Sequence, residues 1–176
     1  MRKHRASLGW PRRDPRHYRF PVPNEVWAYK LRPAEFLILA YLCCRRAHGR
    51  EQKAINVQVA ADTLHLTAAT VEKHLTALAS KGLITEGGTP TLKCEAGKFF
   101  SLPNEVFLLA LPPSAFLIYA YLLNCEDRRT HQCHPSYRTI AGATGLSLNT
   151  AVKSWASSQR KVSSLWSETA GSTRWG

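Results

Sequence analysis

The strongest constraint on the fold of this 176-residue chain is an internal repeat. Residues 20–42 align without gaps on residues 100–122, at a constant offset of 80 positions, and 13 of the 23 pairs are identical. Matches at the same offset continue as far as Lys73 and Lys153. The chain therefore contains two copies of one unit, and both copies are expected to share one local fold.

The repeat divides the chain into four predicted segments. Residues 1–19 carry seven Lys or Arg against one Asp, which predicts a flexible basic arm. The first module is predicted at 20–98 and the second at 99–156. Residues 157–176 are predicted to form an irregular, Ser-rich tail.

One uncharged stretch is long enough to cross a bilayer, and the repeat argues against that interpretation. Val106 to Cys125 has no charged residue. Pro112 and Pro113 interrupt the stretch, and the equivalent segment of the first copy carries charged residues, among them Lys30, Arg32 and Glu35. We therefore predict a core helix that does not span a membrane.

Each module is predicted to contain three helices. In the first copy, Pro33 suits the first turn of a helix, and Asn56 and Thr67 are suitable N-caps for the next two. In the second helix, Val59, Ala60 and Thr63 are expected to face inward. The third helix has an apolar stripe and ends where Lys81 and Gly82 provide a left-handed cap. The stripe consists of Val71, Leu75 and Leu78.

A small hairpin is predicted after the third helix. Residues 83–85 are expected to begin a strand, Gly87 and Gly88 to turn it, and residues 98–100 to return. Three helices followed by a hairpin are the layout of a winged helix, in which the second and third helices form a helix-turn-helix. The predicted fold class is mainly α with small β-hairpins, arranged as two tandem winged helix-turn-helix modules.

The charge of the chain favours DNA as the partner. The formal net charge is +12 and the isoelectric point is near 9.9, as in proteins that bind polyanions. Small and polar residues on the outer face of a third helix could approach base edges, while lysines could reach phosphates. The predicted DNA-binding residues are Thr67, Thr70, Lys73, His74 and Lys81 in the first copy, Ser147, Asn149, Thr150 and Lys153 in the second, and Arg12, Arg13 and Arg16 in the arm.

Several motifs resemble one protein family. Residues 102–106 (Leu-Pro-Asn-Glu-Val), 133–136 (Cys-His-Pro-Ser), 139–141 (Thr-Ile-Ala) and 145–150 (Gly-Leu-Ser-Leu-Asn-Thr) look like a pattern in bacterial winged helix-turn-helix proteins, including N-terminal domains of plasmid replication initiators. Residues 81–84 (Lys-Gly-Leu-Ile) look like the start of its wing. The resemblance implies sequence-specific DNA binding by a regulator or by a replication protein of a mobile element.

The second copy departs from the first after Lys153, and we predict that it is incomplete. Leu78 aligns with Ser158 and Ile84 with Ser164, so the apolar pattern of the third helix and wing is lost. A frameshift or truncation in the source gene would explain this, and so would a naturally divergent tail. We expect the second helix-turn-helix to be poorly stabilised.

The sequence offers little support for other chemistry. It contains no phosphate-binding loop, nucleophile elbow or paired-carboxylate motif, so we predict no enzyme, no catalytic residues and no cofactor. Cys125, His131, Cys133 and His134 lie close together, but their spacing is not that of a zinc finger, and we predict no metal site. No small-molecule ligand is evident. Five cysteines without a paired spacing favour a reducing cytoplasm, and DNA binding would make the protein nucleoid-associated there.

The leading hypothesis is therefore a bacterial transcription regulator or replication-associated protein that binds double-stranded DNA. Tandem modules could cover two half-sites on one chain, and the sequence leaves a homodimer open. Two alternatives are a winged-helix docking module of a replication assembly and a truncated, non-functional relic.

Overall fold

The computed structural model describes residues 19–50, 54–127, 129–130 and 132–156. In chain order the elements are β1 (Arg19–Pro23), a 3-10 helix (Asn24–Tyr29), α1 (Pro33–Ala47), α2 (Val57–Leu64), α3 (Ala68–Ser80), β2 (Phe99–Pro103), a second 3-10 helix (Asn104–Leu109), α4 (Pro113–Cys125) and α5 (Tyr137–Thr144). A last helix, α6, covers residues 148–156 in the described part of the chain. The protein is thus mainly helical with a two-stranded antiparallel sheet, in agreement with the predicted fold class.

Side-chain caps begin the later helices at equivalent positions of the two halves. The Asn56 carboxamide accepts a hydrogen bond from the Val59 N–H, and the Thr67 hydroxyl accepts one from the Thr70 N–H. Ser136 and Ser147, 80 residues further on, cap α5 and α6 in the same way. Each cap satisfies an N–H that has no partner inside its helix. The helix starts are therefore encoded locally, as predicted for Asn56 and Thr67.

The two strands of the sheet are equivalent segments of the repeat, and they pair with each other. β1 and β2 run antiparallel, with Pro21 opposite Ser101, its own counterpart 80 residues later. Phe20 faces Leu102 and Val22 faces Phe100, so the register is symmetric about that central pair. A pseudo-two-fold axis therefore passes through the middle of the sheet.

The two halves share one core. Phe36 of α1 and its counterpart Phe116 of α4 lie against each other, with ring centroids 6.0 Å apart. The main cluster of buried apolar side chains draws on both halves of the chain. Residue 98, the predicted boundary between modules, therefore does not separate two independent cores.

The predicted wing is only partly correct. Residues 83–91 form a tight hairpin in which Ile84 bridges Pro90 and the Thr91 N–H donates to the Leu83 carbonyl. The returning strand predicted at residues 98–100 is instead the start of β2 and its approach. Phe100 and Leu102 are buried against β1, which places them in the shared core. Burial of these apolar residues across the chain outweighs pairing with the nearer segment.

The predicted inner face of α2 was wrong in one position. Val59 is 52% exposed, whereas Ala60, Ala61 and Leu64 are buried. The helix is rotated so that its small residues lie inward, where α2 packs against α3.

No helix in the described part of the chain is long and apolar enough to cross a membrane. The uncharged stretch that raised this question is divided between the second 3-10 helix and α4. Arg19, predicted to end the basic arm, is the first residue of β1, and residues 1–18 and 157–176 lie outside the described residues.

Candidate nucleic-acid interface

Each half of the chain contains two helices joined by a tight turn. Between α2 and α3 the turn passes through His65, whose backbone is left-handed with φ of 54°. Between α5 and α6 the equivalent residue is Gly145, with φ of 72°. A left-handed residue at this point ends the first helix and reverses the chain. The second helix of each pair, α3 or α6, is the element that would enter a DNA groove.

The N-terminus of α3 carries two of the predicted site residues. The Thr67 and Thr70 hydroxyl oxygens are 2.7 Å apart, and Thr67 also caps the Thr70 N–H at 3.2 Å. Both hydroxyls therefore have partners within the chain, and their role in the structure is to cap the N-terminus of α3. Beyond them, Glu72 and Lys73 are exposed on the outer face.

His74 and Lys81, predicted to face DNA, instead meet a buried carboxylate of α1. Lys81 Nζ lies 2.6 Å from Glu35 Oε2, and His74 Nδ1 lies 3.9 Å from Glu35 Oε1. The His74 side chain is only 13% exposed. Position 74 is turned toward α1, three residues after Val71 of the buried stripe. The predicted outward placement of His74 was therefore wrong.

The surroundings of Glu35 and His74 shift the pKa of each side chain. Burial lowers the pKa of His74, more than the Glu35 carboxylate raises it, which favours neutral imidazole at pH 7. Burial alone would raise the pKa of Glu35, but hydrogen bonds from Lys81 and from the Arg32 N–H, with the Lys81 charge, hold it below its ordinary value. The cluster is thus a Glu–Lys ion pair that ties α3 to α1.

The outer face of α6 combines polar and apolar side chains. Ser147 and Thr150 form the same hydroxyl pair as in the first half, at 2.8 Å, and Ser147 caps the helix. Asn149 and Lys153 are exposed, as the sequence predicted.

Sequence reasoning missed two residues of this face and one of the α3 face. Leu148 and Val152, one turn apart on α6, are 46% and 43% exposed. Glu72, at the position equivalent to Val152, is exposed on α3. Helical periodicity could have identified all three, because it places them on the face opposite the buried apolar residues of each helix. Exposed apolar side chains indicate an interaction surface only when they lie together, as Leu148 and Val152 do.

A small second cluster of buried side chains holds α6 in place. Ala151 of α6 is fully buried with Ile118 and Ile140, and Trp155 packs against this group. The Ser154 hydroxyl also lies 2.9 Å from that of Ser114 at the start of α4. The second helix-turn-helix therefore has a local core of its own within the described residues.

Other predicted or basic residues lie away from these faces or outside the described range. Arg12, Arg13 and Arg16 belong to residues 1–18, outside the described residues. Arg46 of α1 donates to the carbonyls of Pro90 at 3.1 Å and Leu92 at 2.8 Å, so it fastens the hairpin to α1. Among the described residues, no group of three or more His, Cys, Asp or Glu side chains could hold a metal ion.

One comparison with known proteins finds a similarity in the second half of the chain. Residues 109–157 match the family model of a helix-turn-helix domain. The match covers α4, α5 and α6, and therefore the half that the sequence suggested was incomplete. No curated protein and no solved structure matches the chain. The helix-turn-helix assignment is thus supported, and the resemblance to plasmid replication initiators stays a prediction.

Proposed function

We propose that this chain is a sequence-specific double-stranded DNA-binding protein that places α6, and α3 in the same manner, in the major groove. The observation that carries the proposal is the helix-turn-helix match over residues 109–157, whose second helix presents Asn149 and Lys153 to solvent. An Asn amide can pair with both hydrogen-bonding groups of an adenine edge, and a lysine can neutralise a phosphate.

The first half supports an equivalent role for α3. Its caps, turn and recognition helix occur at the same offset of 80 residues as those of the second half. Lys73 is exposed at the position equivalent to Lys153. The proposal therefore extends DNA contact to α3, with Lys73 rather than His74 or Lys81 as its free cation.

We further propose that the protein acts by binding, without catalysing a reaction, as a bacterial transcription regulator or as a replication-associated protein of a mobile element. The high positive charge and the local motifs support either role, in the compartment that holds the DNA. The basic residues 1–18 would add phosphate contacts outside the helix-turn-helix units.

Salt-dependent binding tests the proposal. The full chain would be titrated against labelled random-sequence duplexes between 50 and 200 mM salt, with fluorescence anisotropy as the readout. Affinity should fall steeply as salt rises, because Lys and Arg side chains displace counterions from the phosphates. Lys73→Ala and Lys153→Ala should each reduce the slope of log affinity against log salt by about 1.

Lys98→Ala provides the matched control. Its ammonium pairs with Glu95 in the exposed loop before β2, and it belongs to neither α3 nor α6. This variant should keep the salt slope of the native chain. An equal loss in all three variants would mean that charge alone, not the recognition helices, directs binding.

The alternative role in protein docking has one specific observation in its favour. Leu148 and Val152 leave a small apolar surface on α6 that a partner protein could cover. Absence of duplex binding at 50 mM salt would refute the DNA proposal and favour this alternative.

A further inference from the structure

The pseudo-two-fold axis of the sheet extends to the aromatic contacts around it. Trp27 packs on Phe100 at 5.6 Å, and the equivalent pair, Phe107 and Phe20, packs at 5.8 Å. Each of these contacts joins one half of the chain to the other. The interface between the halves is therefore built twice from equivalent residues, as in a two-fold dimer.

A second pair of equivalent contacts repeats the pattern. The Trp27 ring meets Tyr121 edge-on at 5.3 Å, and the Phe107 ring meets Tyr41 edge-on at 5.9 Å. Both pairs are T-shaped, with interplanar angles of 85° and 88°. The symmetry thus includes the orientation of side chains as well as their positions.

The helix-turn-helix turns obey the same symmetry. His65, in the turn of the first half, lines a small cavity together with Ala110 of the second half. In the equivalent position, a Cβ placed on Gly145 would lie 4.0 Å from the Cβ of Lys30. Each turn therefore lies close to the residue that ends the other half's 3-10 helix, so the two turns have equivalent surroundings about the axis.

Each recognition helix is also fixed to its own half in a similar way. The Glu35–Lys81 pair ties α3 to α1, and the Ser114–Ser154 hydrogen bond ties α6 to α4. The two helices are thus held on one body rather than on independently moving domains. Such a body is preorganised, so binding would lose little freedom between the two units.

From this geometry we infer that the chain binds one duplex as an intramolecular dimer would, with α3 and α6 reading two half-sites in inverted rather than direct orientation. The inference rests on the proposed DNA binding. A two-fold axis reverses the direction of one unit relative to the other, and the backbones of a DNA duplex are related by such axes as well. Two modules following one another without this axis would instead favour a direct repeat.

The two recognition faces differ, so the inverted repeat is imperfect. The α6 face offers Leu148 and Val152 for thymine methyl groups and Asn149 for adenine, which favours A·T pairs. The α3 face offers Glu72, whose carboxylate can accept a hydrogen bond from the N4 amino group of cytosine. One half-site should therefore be rich in A·T pairs and the other should contain a G·C pair.

Half-site rearrangement tests this inference directly. Duplexes bound by the full chain would first be selected from a random library. The two selected half-sites would then be resynthesised in inverted and in direct orientation, and each alone. Affinity would be measured by anisotropy and stoichiometry by native mass spectrometry.

The inverted site should bind one chain per duplex, at least about tenfold more tightly than the direct or single half-sites, because the second contact is intramolecular. Equal affinity for the direct or single half-site would overturn the inference. Two chains on one inverted site, or two duplexes on one chain, would overturn it as well. Selection that yields no bound duplex at low salt would refute the proposed DNA binding itself.

Single-face variants provide a second readout. Asn149→Ala should relax the base preference of the A·T-rich half-site alone, and Glu72→Ala that of the other half-site alone. Both positions are exposed, so a melting curve should show that each variant folds. If either variant altered both half-sites equally, the assignment of one face to each half-site would be wrong.

Discussion

At the residue scale, Glu35 has a different role from the exposed carboxylates of the chain. Its side chain is 4% exposed, accepts a hydrogen bond from the Arg32 N–H at 3.1 Å and pairs with Lys81. It thereby connects the start of α1 to the end of α3. The equivalent residue of the second half is Ala115, so α3 and α6 are fastened by different chemistry.

Glu35→Ala should lower the free energy of unfolding by about 2 kcal/mol, because it removes the hydrogen bonds that a buried carboxylate accepts from Lys81 and from the Arg32 N–H. Urea denaturation followed by circular dichroism would measure it. The control is Glu95→Gln. Glu95 is also paired with a lysine, at 2.8 Å, but its side chain is 60% exposed, so the change should cost less than about 1 kcal/mol. An equal decrease in the free energy of unfolding in both variants would contradict the claim that the buried Glu35 pair contributes more than an exposed pair.

The His74 environment predicts a dependence of stability on pH. Burial lowers its pKa below the ordinary 6.5, so the unfolded chain binds more protons than the folded chain just below pH 6.5. The free energy of unfolding should therefore rise with pH through this window. The loss of stability that protonation of His74 causes should be absent above pH 6.5. The lowered pKa of Glu35 acts with the same sign below pH 4.5.

His74→Gln should flatten the pH dependence just below pH 6.5, because the substituted side chain does not titrate. The measurement is chemical denaturation of both proteins at several pH values across the window. A native-like slope in the variant would show that His74 is not the titrating group. The same variant should bind duplex DNA with the affinity of the native chain at pH 7, since the side chain faces α1.

At the element scale, the two turns adopt the same left-handed backbone conformation with different residues. His65 and Gly145 both occupy the left-handed region, which a glycine adopts without the cost that a Cβ imposes. Among the described residues other than its chain neighbours, only Lys30 approaches the Cβ position of Gly145, at 4.0 Å. The requirement for glycine there is therefore one of conformation rather than space.

Gly145→Ala should destabilise the chain by roughly 1 kcal/mol, and Gly142→Ala should stabilise it by up to about 1 kcal/mol. Gly142 lies within α5, and in the described part of the chain no atom outside the neighbouring helix backbone lies within 4 Å of an added Cβ, so alanine there reduces the entropy lost on folding. Thermal melts of the two variants would therefore shift in opposite directions. Shifts of the same sign would contradict the assigned backbone conformations.

At the scale of the whole molecule, the repeat builds one body instead of two domains. Phe36 and Phe116 meet across the pseudo-two-fold axis, and β1 is paired along its length with β2. Neither half can bury its strand and first helix without the other. Stability should therefore be a property of the full core and not of the modules separately.

Phe116→Ala should lower the free energy of unfolding by about 3–5 kcal/mol and should reduce hydrogen-exchange protection in both halves. Exchange would be read in peptides from α3 and from α5. Leu108→Ala is the control, because Leu108 is largely exposed and its truncation should have little effect. Loss of protection confined to the second half would show that the halves fold independently.

Much of the fold could be predicted because it depends on neighbouring residues. The caps at Asn56 and Thr67 and the left-handed Gly82 after α3 follow from local hydrogen bonding and φ preference. The exposure of Lys73 and Asn149 follows from helical periodicity. The contacts of His74 and Lys81 could not be predicted in this way, because their shared partner Glu35 lies on α1, 46 residues before Lys81.

The sequence by itself determined the repeat, the positive charge, the helices and the helix-turn-helix of the second half, since each depends on the order of residues or on contacts within a few positions. Only the tertiary structure decided that β2 pairs with β1 rather than with the hairpin after α3. It also decided that a pseudo-two-fold axis relates the two halves of the chain. These outcomes depend on segments about 80 residues apart, where burial of apolar surface, not local preference, selects the partner.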